Sequence, residues 1–165
     1  MGASLVAPDG GQQNTRTRII NAPPGDTAMI GTPEQDAFIN EQRWAVVTTL
    51  RRDGTPTNSV VFYAREGDEI FFSTAAGRLK AKTVRKDPRI AITILDEGAP
   101  FRFLTLEGKA TIQTESIVPG HVAVNKAMRR ADFTPPEGFE ERLNKDGRLL
   151  IRLKPERVSG VVNRG

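Results

Sequence analysis

The chain contains no cysteine. That excludes disulfides, thiolate zinc sites, iron–sulfur clusters and thiol nucleophiles. Histidine is nearly absent too: His121 stands alone, so a multi-histidine metal centre is not expected. Trp44 and Tyr63 are the sole residues of their types. No run of eighteen apolar residues occurs, so no transmembrane helix is expected. Met1–Val6 has neither a basic start nor a long apolar stretch, and Val6 breaks the myristoylation pattern. A cytoplasmic location is the expectation. Any redox chemistry here must be carried by a bound organic cofactor.

What is present suits one soluble domain. The chain has 165 residues, 38% hydrophobic and 27% charged, enough for one core. Its net charge of +4 is concentrated rather than spread. Residues 77–90 hold Arg78, Lys80, Lys82, Arg85, Lys86 and Arg89 against Asp87 alone. Such a patch suggests an anionic partner. Aromatic residues are not interleaved with it to stack bases, which argues for a small molecule rather than nucleic acid.

Residues 1–31 are rich in Gly, Pro, Gln, Asn and Thr and show no apolar periodicity. A poorly ordered arm is expected there, ahead of a single domain over 32–165; the alternative is an arm that wraps a partner subunit, with Met29-Ile30 as its anchor. Thr32, Pro33 and Gln35 form a capping box for a helix running to about Gln42. Strands are expected over Trp44–Leu50, Asn58–Ala64 and Glu69–Thr74, joined by turns at Asp53-Gly54 and Gly67-Asp68. A short helix over Gly77–Asp87 follows. Strands over Arg89–Asp96 and Phe101–Thr114, the latter bent near Gly108, come next. Helices are expected over Pro119–Arg130 and Pro136–Asn144, then strands over Arg148–Leu153 and Arg157–Val162. The pattern is mainly β with short helices: an antiparallel barrel of six or seven strands with helices outside.

GxGxxG, GxxxxGK[ST] and GxSxG are all missing. The informative stretch is Phe71–Arg89. A strand ends in Ser73-Thr74, small residues Ala75, Ala76 and Gly77 follow, and Arg78, Lys80 and Lys82 open a helix. Hydroxyls, free helix N–H groups and an Arg/Lys pair are what a phosphate needs. The same run also reads as a solvated helix face.

Five segments in order carry a resemblance. They are Arg52–Pro56 with Asn58–Val61, Phe72–Thr74, Arg78–Lys82, Arg85–Arg89 and Leu106–Ala110. Over roughly residues 34–162 the chain resembles the flavin/deazaflavin split-β-barrel family, the pyridoxamine 5′-phosphate oxidase-like group. Its Asp-Gly-x-Pro turn and Arg-x-Lys-x-Lys helix are similar to the branch that uses coenzyme F420. The C-terminal Val161–Gly165 does not resemble the substrate-binding segment of the vitamin B6 oxidases.

The resemblance implies a homodimer with cofactor sites at the interface. It implies that Arg78 and Lys80, with Lys82 behind them, meet the cofactor phosphate, and that Ser73 and Thr74 line the phosphate and ribityl chain. It further implies that the backbone of the strand holding Thr57, Asn58, Ser59 and Val60 faces the ring, and that Phe101 and Phe103 approach it from the second subunit. From the residues alone, Ser59 also reads as an outward strand position, Phe101 and Phe103 as core, and His121 as a surface or helix-cap residue.

Three functions follow. The leading one is hydride transfer from reduced F420 to an enone, lactone, quinone or tetrapyrrole. Tyr63, Asn58 or water would donate the proton, and no catalytic side chain is assigned. The second keeps the fold and uses FMN. F420 continues past its phosphate through a lactate to an oligoglutamate tail, so it asks for further cations, which Arg85, Lys86, Lys126, Arg129 and Arg130 can offer. The third is a non-catalytic flavin, deazaflavin or haem binder, haem having only His121 as axial ligand. No metal, nucleic acid or membrane is expected as a partner.

Overall fold

The computed structural model describes residues 28–98, 101–129 and 131–163. The expected arm therefore lies outside the described residues except at its end. There Ile30 is buried in the core and its N–H donates to Asp36 Oδ1 at 2.8 Å, while Met29 is exposed. Helix α1 (Pro33–Glu41) has both halves of its capping box, and it buries Phe38 and Ile39.

Seven strands follow among the described residues: β1 (Trp44–Leu50), β2 (Pro56–Glu66), β3 (Glu69–Ala75), β4 (Arg89–Leu95), β5 (Phe103–Gln113), β6 (Arg148–Leu153) and β7 (Arg157–Val161). They pair antiparallel in the order β4-β1-β2-β3-β6-β5-β7, and β4 also pairs with β5. Six strands thus close into a barrel and β7 is added at the rim of β5. This is the antiparallel barrel that the strand pattern predicts, in the split form that the family resemblance implies. Gly54 and Gly67 close the first two hairpins with φ of +83° and +58°, a region where a side chain is strained.

Alternation sorts the residues. Ala45, Val47, Ile70, Phe72, Ile92, Ile94, Leu104, Leu106, Leu149, Ile151 and Leu153 point inward and form the main core. A smaller core lies outside the barrel, where Phe71 and Leu150 meet helices α3 (Val118–Arg129) and α4 (Phe139–Lys145) through Ile117, Val124 and Leu143. Gly120 permits that contact: a Cβ there would collide with Leu150 Cδ1 and stand 3.3 Å from Phe71 Cε2. No helix among the described residues is long and apolar enough to cross a membrane.

The barrel opens where two strands part. β2 pairs with β3 only over Tyr63–Glu66. Beyond that, Pro56–Phe62 stays with β1, while Ser73–Ala75 stays with β6. Helix α2 (Leu79–Lys86) follows directly from the parted end of β3. It buries Ala81, Thr83 and Val84, and Thr83 Oγ1 bonds Thr49 Oγ1 of β1 at 2.8 Å.

Candidate functional site

The site grows from the turn between β3 and α2. Ala76 N–H donates to Gly147 O at 2.8 Å, tying this turn to the start of β6. Arg85 Nη1 donates to Ala76 O at 3.1 Å from the far side. Arg78 is the N-cap residue and its side chain makes no capping bond. Among the described residues the amides of Leu79 and Lys80 have no partner, as expected for the first turn of a helix. A Cβ on Gly77 would meet nothing within 4 Å, so the space above the turn is open.

Three cations converge here: Arg78, half-buried Lys80 and half-buried Arg148. Burial lowers the Lys80 pKa, and the charges of Arg78 and Arg148 lower it further. Burial also lowers that of Arg148; Asp146 opposes the shift and Arg78 adds to it. The Arg148 guanidinium donates to Ser73 Oγ. No carboxylate among the described residues forms a salt bridge with any of the three. Half-buried like charges without salt bridges are costly, and a bound anion relieves them. Two free amides at a helix N-terminus stand beside these cations, an arrangement that suits an anion.

The expected residues divide by strand parity. Ser73 lies on the outer face, opposite Leu150, within reach of Arg148. Thr74 points inward and is buried. Thr57 and Ser59 share the inner face of β2 with Thr49 and Val47, while Asn58 and Val60 face outward. Asn58 Oδ1 accepts from Thr48 Oγ1 at 2.8 Å, and Val60 is 66% exposed. Thr57 is the ladder partner of Thr49, which is bonded to Thr83, so α2 and this end of β2 share one support. Lys82, Lys86 and Lys126 are exposed and stand outside the cluster; the side chains of Arg129 and Arg130 lie outside the described residues.

Several expectations need correction. Phe101 and Phe103 are not packed in the core: Phe101 precedes β5 at φ +81° and is 71% exposed, and Phe103 is exposed at its first position. Tyr63 is no accessible proton donor. Its hydroxyl is buried and donates to Ile39 O at 2.7 Å, and burial raises its pKa well above the usual phenol range. His121 is not a surface or cap residue but is 1% exposed inside α3. Arg148 had no signal of its own in the sequence; only the pairing of β3 with β6 brings it beside Ser73.

A second concavity of about 580 Å³ lies on the outer face between β1, β4, β5 and β7. Its arginines are already matched, Arg89 by Asp87 at 2.6 Å and Arg157 by Glu107 at 2.6 Å. It offers shape but little unmet charge.

The fold is a split β-barrel with a cluster of cations, none of them salt-bridged among the described residues, at its opening. The model of the pyridoxamine 5′-phosphate oxidase family matches residues 32–162, and the chain belongs to that family. No curated protein matches it. Among solved structures, an F420 reductase is similar at 23% identity, with TM-score 0.59, over 72% of this chain and 90% of that one. A conserved hypothetical protein from Mycobacterium tuberculosis is 24% identical, with TM-score 0.65, over 80% and 85%. A heme-binding protein from Mycobacterium smegmatis is 20% identical, with TM-score 0.59, over 80% and 54%. At these identities the likeness is one of fold.

Proposed function

We propose that the chain is an F420-dependent oxidoreductase that reduces an electrophilic small molecule of enone, lactone, quinone or tetrapyrrole type. The observation that supports this most is the cluster of Arg78, Lys80 and Arg148, none of which forms a salt bridge among the described residues. The deazaflavin, when bound, supplies a hydride from C5. The chain's own residues bind and orient. Arg78, Lys80, Arg148, Ser73 and the amides of Leu79 and Lys80 hold the phosphate. Thr57 and Ser59 on the inner face of β2, and Asn58 on its outer face, border the way to the ring. The proton comes from Asn58-bound water or solvent, since Tyr63 is committed to Ile39. F420 is favoured over FMN because Arg85, tied to Ala76 O, holds a further cation at the turn for an anion that continues beyond one phosphate.

The site is completed by a second copy of the chain. The row Val60–Val46–Thr93–Thr105 crosses four strands on the outer face without a charge. Phe103 and Val161, paired with each other, add exposed apolar surface on the same side. An uncharged sheet face of this kind suits a symmetric partner. Val60→Asp is expected to shift the protein from dimer to monomer in sedimentation; an unchanged dimer would place the interface elsewhere.

The function is tested by fluorescence titration with F420 and FMN side by side, then by F420H2 oxidation with a panel of electrophiles. Tighter binding of F420 and turnover with at least one electrophile are expected. Equal or tighter FMN binding would overturn the choice of cofactor, and F420 binding without turnover would leave a carrier.

A further inference from the structure

A cleft of about 470 Å³ that Arg148 helps to line lies between α3, α4 and the start of β6. His121 and Asn125 form part of its lining from α3, Arg142 from α4, and Asp146 and Arg148 from the turn into β6. Phe133 and Phe139 form an apolar wall, their ring centroids 5.6 Å apart and tilted by 56°.

The chemistry of this cleft turns on His121. Its Nδ1 lies 2.9 Å from Ile117 O. A carbonyl only accepts, so Nδ1 carries the proton and Nε2 of the neutral ring presents a lone pair. That Nε2 is buried and has no hydrogen-bond partner among the described residues. Burial lowers the His121 pKa; the Ile117 bond opposes this and Arg148 adds to it, so the ring stays neutral. Asn125 Nδ2 donates to His121 O at 2.8 Å, holding the helix turn that carries the ring. Buried acceptors are normally satisfied, and one left unpartnered on a residue that lines a cleft points to a donor that arrives from outside. Arg142 and Arg148 outnumber Asp146, so the cleft also favours an anion.

We propose that this cleft is a ligand site, taking a small carboxylate that bears an O–H or N–H donor beside its acid group. The donor meets His121 Nε2, the carboxylate meets Arg142 and Arg148, and the carbon skeleton lies on Phe133 and Phe139. Two sources share this chemistry. One is a free hydroxy- or amido-carboxylate. The other is the part of a phosphate-bearing cofactor beyond its phosphate, because Arg148 belongs to both sites. The binding claim itself does not rest on the redox reading.

The single histidine makes the test direct, since its ring nitrogens give one set of 15N resonances. The full chain is titrated with L-lactate, N-acetyl-L-glutamate, acetate and methyl lactate. L-lactate or N-acetyl-L-glutamate is expected to move the Nε2 resonance and to bind about tenfold tighter than acetate or methyl lactate. Arg142→Gln, a change at an exposed residue, is expected to weaken that binding about tenfold. F420 with its glutamate tail and F420 cut back to its phospholactate separate the two sources. A shift caused only by the tailed form assigns the cleft to the cofactor, and a shift caused by the small acids alone assigns it to a free ligand. If no probe moves Nε2 at saturation, water alone satisfies it and the proposal falls. It falls equally if acetate and methyl lactate match lactate. None of these readouts needs hydride transfer, so their failure is separable from failure of the oxidoreductase reading.

Discussion

Arg148 and Arg152 stand four residues apart on the same face of one strand, and their surroundings differ in kind. Arg152 is finished by the chain itself. It forms ion pairs with Glu66 and with Glu69, the latter at 2.8 Å, bonds Gln113, and lies over the Phe71 ring at 4.7 Å. Burial pulls its pKa down, but the two glutamates more than offset that, so it stays raised. Arg148 is equally fixed in place but meets Ser73, an approaching Arg78 and only Asp146 in opposition, and its pKa is lowered. One arginine is ion-paired within the fold, and the other forms no salt bridge among the described residues. Unmet charge, rather than charge, separates a binding site from a salt-bridged surface.

That contrast is broken most sharply by exchanging the two losses. Arg148→Ala is expected to weaken F420 binding by about 10- to 100-fold while leaving thermal stability intact, measured by titration and melting. Arg152→Ala is expected to do the reverse, with unchanged affinity and a loss of about 1–2 kcal/mol in denaturant unfolding, since its glutamates are partly solvated. If Arg152→Ala weakens binding as much as Arg148→Ala, the two are not distinct.

The contrast is sharpened by pH. Lys80 has a folded pKa below its ordinary value of 10.5. The unfolded chain therefore holds its proton more readily at alkaline pH, and stability rises with pH across that window. Anion affinity moves the other way, falling as pH rises through the Lys80 pKa, and Lys80→Gln should flatten the affinity profile. A wild-type profile that is flat below pH 10.5 would contradict the depressed Lys80.

The smallest effect concerns His121, flanked in its cleft by Arg142, Arg148 and Asp146. Its folded pKa lies below 6.5, so the unfolded chain takes up the proton first as pH falls. Stability is expected to drop below about pH 6.5 in the wild type and less so in His121→Gln, read by melting temperature. Equal slopes would mean that His121 is as easily protonated in the fold as out of it.

Local chemistry was legible in the sequence, and long-range pairing was not. The start of α1, the hairpins at Gly54 and Gly67 and the Arg78–Lys80 turn are each set by residues within a few positions, and each formed as expected. Ser73 and Thr74 looked alike as neighbours, yet strand alternation sends them to opposite faces. Phe101 reads as strand by composition, but its backbone turns through positive φ and β5 begins at Phe103. Arg148 meets Ser73 across 75 residues of chain, and His121 is buried because Gly120 lets α3 lie close on Phe71 and Leu150. Such placements depend on strand register and helix docking, which local pattern does not encode.

In the proposed function Arg78, Lys80 and Arg148, none of them salt-bridged among the described residues, receive a phosphate. The most direct test is the melting temperature of wild type and Arg148→Gln with and without pyrophosphate. Pyrophosphate is expected to stabilise the wild type, and Arg148→Gln is expected to melt no lower than wild type without it and to gain little with it. Equal stabilisation of both proteins by pyrophosphate, or a large loss of stability in Arg148→Gln alone, would contradict this role.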